Sequence, residues 1–160
     1  MGCSPEAAVL STLLKIHEDM APAILVAGGV TLIWGIVMLI LASRRRGQSV
    51  SSAAGSGSAA SSASAANIGG GMRVFRGLLI ITAALGLIQA IIGGLMYLNG
   101  ARPGDPLHYV YGGIVLLAIP VAYVYSDQAQ VRRDIIIMVI AALAVIGAAI
   151  RALMTGAGHP

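Results

Sequence analysis

Few side chains in this 160-residue chain have scope for chemistry, and the notable ones stand at the ends of apolar runs. His17 precedes one run and His108 opens another. Arg102 lies in the short loop before His108, and Arg151 ends a further run. A neutral imidazole has a lone pair for iron, and two imidazoles can hold one iron from opposite faces of a macrocycle. Arginine offers a planar fork of donors that matches a carboxylate. Brought together, these four residues would suit a haem, with His17 and His108 as metal ligands and Arg102 and Arg151 on the two propionates. A plainer explanation is interfacial: histidine is common at a membrane surface, and Arg151 can snorkel to headgroups. The third histidine, His159, falls in a polar tail, 155–160.

Whether these residues meet depends on the elements that carry them. Hydrophobic residues make up 58% of the chain and charged residues 10%, whereas a soluble domain carries about 25% charged residues. That is too little charge to cover a water-facing surface. Apolar stretches at 21–43, 76–98, 107–125 and 134–154 each reach the roughly 20 residues needed to cross a ~30 Å hydrocarbon core. They are continuous rather than alternating, so they predict helices and not barrel strands. The expected fold class is an all-α, integral membrane four-helix antiparallel bundle forming a single domain. Residues 1–20 read as an interfacial helix or as an outward extension of the first span. Ser4-Pro5-Glu6 provides a helix start, and Pro22 is the natural kink. Residues 44–75 include a long Ser/Ala/Gly run without hydrophobic periodicity, expected to be a disordered cytoplasmic linker.

The arginines orient the spans. Arg44, Arg45 and Arg46 follow the first, Arg73 and Arg76 precede the second, and Arg132 and Arg133 separate the third and fourth. With alternating spans all of these share one end, which the positive-inside rule makes cytoplasmic. Both termini, His17, Arg102, His108 and Arg151 then share the extracytoplasmic end. The two histidines do not sit at equal depth in simple counting: His17 is farther from the Arg44 cluster than His108 is from Ser126, by on the order of 13 Å at 1.5 Å per residue. A tilted or kinked first span, or an arginine cluster projecting deeper into the cytoplasm, would level them.

Other residues have mainly structural expectations. Small residues four apart (Ala23, Ala27, Thr31 and Gly35; Gly86, Ala90 and Gly94; Ala144, Ala148 and Ala152) predict close helix contacts within the bundle, a homo-oligomer face being their other use. Gln89, inside the second span, is expected to hydrogen-bond across helices rather than to a quinone carbonyl. Trp34 is expected to pack on a small-residue surface. Tyr97, Tyr109, Tyr111, Tyr123 and Tyr125 read as interfacial anchors, and Asp105 as part of a tight turn. No acidic residue lies in a membrane core, which argues against a proton-coupled transporter. The only cysteine, Cys3, excludes an intramolecular disulfide. The net charge of +4 is accounted for by the topology arginines, leaving no reason to expect a nucleic-acid partner.

The segment Gln89-Ala90-Ile91-Ile92-Gly93-Gly94-Leu95-Met96-Tyr97-Leu98, its Pro-containing loop and Leu107-His108 together resemble one four-helix half of the haem A synthase family. In that family a Q-x3-G-G-L segment precedes a helix bearing a haem-ligating histidine. An earlier ligand stands in an E-x-x-H-R motif, whose matching position here is His17. The sequence departs from that motif: Leu14 stands where the glutamate would be and Glu18 follows the histidine. The family has eight spans and this chain has four. The resemblance implies a bis-histidine haem b site at His17 and His108. With the motif's acidic residue displaced, it does not extend to haem A synthesis.

The functional expectation is a b-type haem-binding membrane protein, an electron carrier or accessory subunit alongside other membrane subunits of a respiratory or photosynthetic assembly. The alternatives are a haem-free structural subunit of such an assembly and a half-length haem-modifying enzyme acting as a homodimer.

Overall fold

A computed structural model describes residues 5–51, 58–126 and 130–156 of the chain, with side chains described over 8–44, 69–126 and 130–156. It comprises α1 (Pro5–Ser51), α2 (Ser58–Leu98), α3 (Leu107–Tyr125) and α4 (Val131–Gly156), with no strand among the described residues. Cys3 and His159 lie outside them.

Each helix contains a segment long and apolar enough to cross a membrane: Ala8–Arg44, Gly69–Leu98, Leu107–Tyr125 and Val131–Gly156. Large apolar side chains such as Val26, Ile33, Ile80, Leu117, Val124 and Ile140 face outward. Hydrocarbon provides no hydrogen-bond partner for the backbone, and helices satisfy it internally. The chain is an all-α integral membrane bundle.

The helices form a square in which α1 neighbours α2 and α4, and α3 neighbours α2 and α4. Met38 meets Gly71, Gly35 meets Phe75, Thr31 bonds Thr82, and His17 meets Gly93, so numbers fall along α1 as they rise along α2. Gly28 meets Ile146 and Gly35 meets Val139, an antiparallel register repeating every seven residues. At Gly35 a Cβ would come within 2.7 Å of Val139 Cγ2 and 2.9 Å of the Phe75 ring. Only glycine allows α2 and α4 to close on α1 there. In the core, the Thr31 and Thr82 hydroxyls lie 3.1 Å apart, and each is also within reach of the carbonyl one turn back, of Ala27 and Leu78; with one hydrogen apiece, one hydroxyl donates to its carbonyl while the other donates to it.

One of two readings is selected and two expectations change. α1 is one continuous helix that runs through Pro22 and joins the N-terminal segment to the first span. The stretch 44–75 is helical wherever it is described, with only 52–57 outside the described residues. Its alanines favour helix, and its distal part is packed: Phe75 is fully buried, and Trp34 Nε1 donates to the Gly71 carbonyl at 3.1 Å. The small-residue stripes are only partly in contact, since Ala148 is buried while Ala144, Ala23 and Gly94 are exposed.

About half of the depth mismatch is taken up at the arginine-rich end. By the α1–α4 register Arg44 is level with residue 130. Counting back along α4 from Ala152, the partner of His108, Tyr125 at the end of α3 is level with Ile135. Thus α1 and α4 overhang α3 by about five residues, or ~7 Å.

Candidate functional site

The end of α2 sets the approach to the site. Gly100 has a φ of +85°, and Gly100 N bonds Tyr97 O while Ala101 N bonds Met96 O. This paired pattern closes a helix through a left-handed residue, a conformation that glycine adopts without a Cβ clash. Asp105 Oδ1 then accepts from Leu107 N at 2.9 Å, and its carbonyl accepts from His108 N at 3.0 Å. The turn starts α3 and fixes where His108 leaves it.

His17 on α1 and His108 on α3 come from diagonally opposite helices, yet their ring centroids are 6.1 Å apart with planes tilted by 52°. Each ring is backed by a different neighbour. His108 Nδ1 lies 3.0 Å from the Ala152 carbonyl of α4. A carbonyl only accepts, so Nδ1 carries the proton and the lone pair is on Nε2. Gly156, one turn beyond Ala152, lies behind the same ring: a Cβ there would be 2.9 Å from His108 Cε1. His17 rests on α2, with its Cε1 3.4 Å from the Cβ position of Gly93. One turn before Gly93, Gln89 Nε2 donates to the His17 carbonyl at 2.8 Å, the cross-helix bond expected of this residue. His17 Nδ1 and Gln89 Oε1 are both buried without a hydrogen-bond partner.

The arginines are placed differently. Arg151 is exposed on α4 beside Ala152. Arg102 is turned into its own loop, where its Nη1 donates to the carbonyls of Tyr97 at 2.8 Å and Ala101 at 3.0 Å. Its guanidinium also lies 3.9 Å from the centre of the Tyr97 ring, which meets Tyr109 edge-on at 5.7 Å. The structure therefore brings His17 and His108 together with Arg151 at the same end, and holds Arg102 on the loop side.

The donor set distinguishes between kinds of metal ligand. A bare zinc-like ion takes about four ligands, mostly from protein, whereas haem brings its own equatorial nitrogens and takes axial ligands from protein. Among the described residues no three His, Cys, Asp or Glu side chains converge, so two imidazoles match the second case. Two imidazoles that shared one metal at ~2.0–2.1 Å each would have ring centres roughly 6 Å apart, close to the 6.1 Å between His17 and His108. The Nδ1–H of His108 on a backbone carbonyl is the support that metal-ligating histidines use. Donor type, ring spacing and support are the features that a two-imidazole ligand set would need.

Sequence reasoning missed polar groups at the other end. Asp134 is 2% exposed, and its Oδ1, Arg76 Nε and Ser126 Oγ are buried without partners. In Arg132-Arg133-Asp134 the charges read as a water-facing flank, and the pattern carries no signal of burial.

No protein family model, no curated protein and no solved structure matches this chain. The fold and site define its class: an integral membrane four-helix bundle with a pair of juxtaposed imidazoles at the end opposite its arginine clusters.

Proposed function

We propose that the chain is a b-type haem-binding membrane protein, holding one haem between His17 and His108 at the rim of the bundle. The single observation behind this reading is the 6.1 Å approach of two imidazoles carried by diagonal helices, with His108 held in the Nδ1–H form by Ala152. The haem would supply one-electron chemistry. The chain's own residues orient the two imidazoles, exclude water from their Nδ1 edges and offer cations to the propionates. Arg151, exposed at this end, is the readier cation. Arg102 has its Nη1 committed to loop carbonyls and would offer its remaining donors. In this reading the protein resides in a bacterial cytoplasmic membrane with both termini outside. It passes electrons as a carrier or accessory subunit of a respiratory or photosynthetic complex, because one haem at one rim does not carry charge across a ~30 Å core.

One observation favours a second reading, a haem-free subunit filling a seam in such a complex: Arg102 is turned into its own loop, with Nη1 on two loop carbonyls and its guanidinium over Tyr97. Reduced-minus-oxidised visible spectra of the purified protein decide between the two. A sharp reduced α-band that copurifies with the chain supports the haem protein. A colourless chain that purifies only with a larger membrane complex supports the subunit. A change in the mass of added haem on turnover would instead indicate the half-length enzyme.

A further inference from the structure

The two histidines of the rim are supported unequally. His108 has a complete arrangement, with Nδ1–H on the Ala152 carbonyl and the lone pair left on Nε2. His17 has its Nδ1 buried without a partner. That nitrogen is on the ring edge turned toward α2, 4.0 Å from the Cβ position of Gly93. Gln89 stands one turn before Gly93, on the same face of α2. Its amide orientation is determined by what it meets: the His17 carbonyl can take only a donor, so Nε2 faces it and Oε1 faces away. Oε1 is itself buried and unpartnered. A hydrogen-bonded residue pair therefore has left over, in one helix seam, one buried acceptor and one buried ring nitrogen that can donate.

We propose that Gln89 is the positioning residue of His17. Its Oε1 takes the Nδ1–H of His17, directly or through one water, while its Nε2 holds the carbonyl of the same residue. The amide thus grips His17 at two points and keeps the lone pair on Nε2, as Ala152 does for His108. Donation from Nδ1 to an acceptor also makes the imidazole a stronger ligand. That consequence rests on the haem reading, whereas the tautomer does not.

The test uses the full chain in lipid nanodiscs without haem, with histidines labelled with nitrogen-15. Nitrogen shifts distinguish Nδ1–H from Nε2–H, and the His17 signals are identified by their loss in His17→Ala. The expected result is His17 as Nδ1–H in the wild type, a mixture of tautomers in Gln89→Leu, and the Nδ1–H form restored in Gln89→Glu. Unchanged His108 shifts report that each variant remains folded. His17 in the Nε2–H form in the wild type would overturn the proposal whether or not the variants fold, as would identical His17 shifts in wild type and a folded Gln89→Leu. In haem-loaded protein the reduction potential should be lower in Gln89→Glu than in Gln89→Leu, because the charged acceptor strengthens His17 as a ligand. If the chain binds no haem, that arm and the haem reading fail together, while the tautomer measurement still decides the role of Gln89.

Discussion

The two ends of this bundle bury polar atoms in opposite settings. At the histidine end, half-buried imidazoles sit against glycines: Gly93 beneath His17 and Gly156 beneath His108. The partners there are backbone carbonyls and one amide. At the arginine end, bulk occupies the space. Phe75 and Ile135 are fully buried, and Asp134, Arg76 and Ser126 contribute unpartnered polar atoms nearby in sequence. Small residues at one end leave imidazole edges free to meet a ligand. Large residues at the other lock helices together and bury polar atoms without partners. A buried polar atom therefore acquires its meaning from what surrounds it: beside glycine and a second imidazole it suggests a binding site, and beside a packed aromatic it suggests a stability cost.

The contrast is open to direct attack. The largest effect is expected on haem content. His17→Ala or His108→Ala should lower haem bound per chain by more than about tenfold, since even outer supports of a metal ligand are worth 10–100-fold. Asp134→Asn should leave it unchanged. Pigment analysis of the purified variants measures this, and equal losses at both ends would erase the distinction. Next, Phe75→Ala should cost about 3–5 kcal/mol of stability, seen as a lower unfolding midpoint in detergent. In the same assay Asp134→Asn should raise the midpoint, because an amide replaces a buried carboxyl that has one oxygen without a partner. A smaller effect is expected from Gly156→Ala, whose Cβ would press on the His108 ring at 2.9 Å. Overpacking of this kind costs roughly 1–3 kcal/mol and should appear as weaker haem binding. Gly94→Ala, with nothing within 4 Å of the new atom, should bind as the wild type does. The smallest effect concerns the middle of the bundle. Thr31→Val alone should cost about 1 kcal/mol, and Thr31→Val with Thr82→Val less than the sum of the two single changes, because a buried hydroxyl is harmed more by losing its partner than by joint replacement.

Much of the fold was legible because hydrocarbon imposes length and continuity on a span, and both are written in residues 21–43, 76–98, 107–125 and 134–154. The meeting of His17 and His108 was legible for a related reason: alternation of spans assigns them to one end. Their approach was not. It depends in part on α1 and α4 overhanging α3, which the contacts of Gly28 and Gly35 with α4 determine. The packed part of 44–75 was hidden because a Ser/Ala/Gly composition suits both a linker and a helix. Only tertiary contacts, Met38 against Gly71 and Phe75 against Gly35, distinguish the two. Asp134 was hidden for the same reason, since its burial arises from neighbouring helices and not from Arg132 and Arg133 beside it. Gln89 was legible as a cross-helix donor, but its partner, the carbonyl of His17, required the structure.

Electron paramagnetic resonance of the oxidised, haem-loaded chain addresses the pairing itself. If both imidazoles ligate one iron, the wild type gives a low-spin signal, and removal of either His17 or His108 converts what haem remains to high spin. A high-spin wild type, or a low-spin signal that survives in both single variants, would contradict the shared ligation of one iron by α1 and α3.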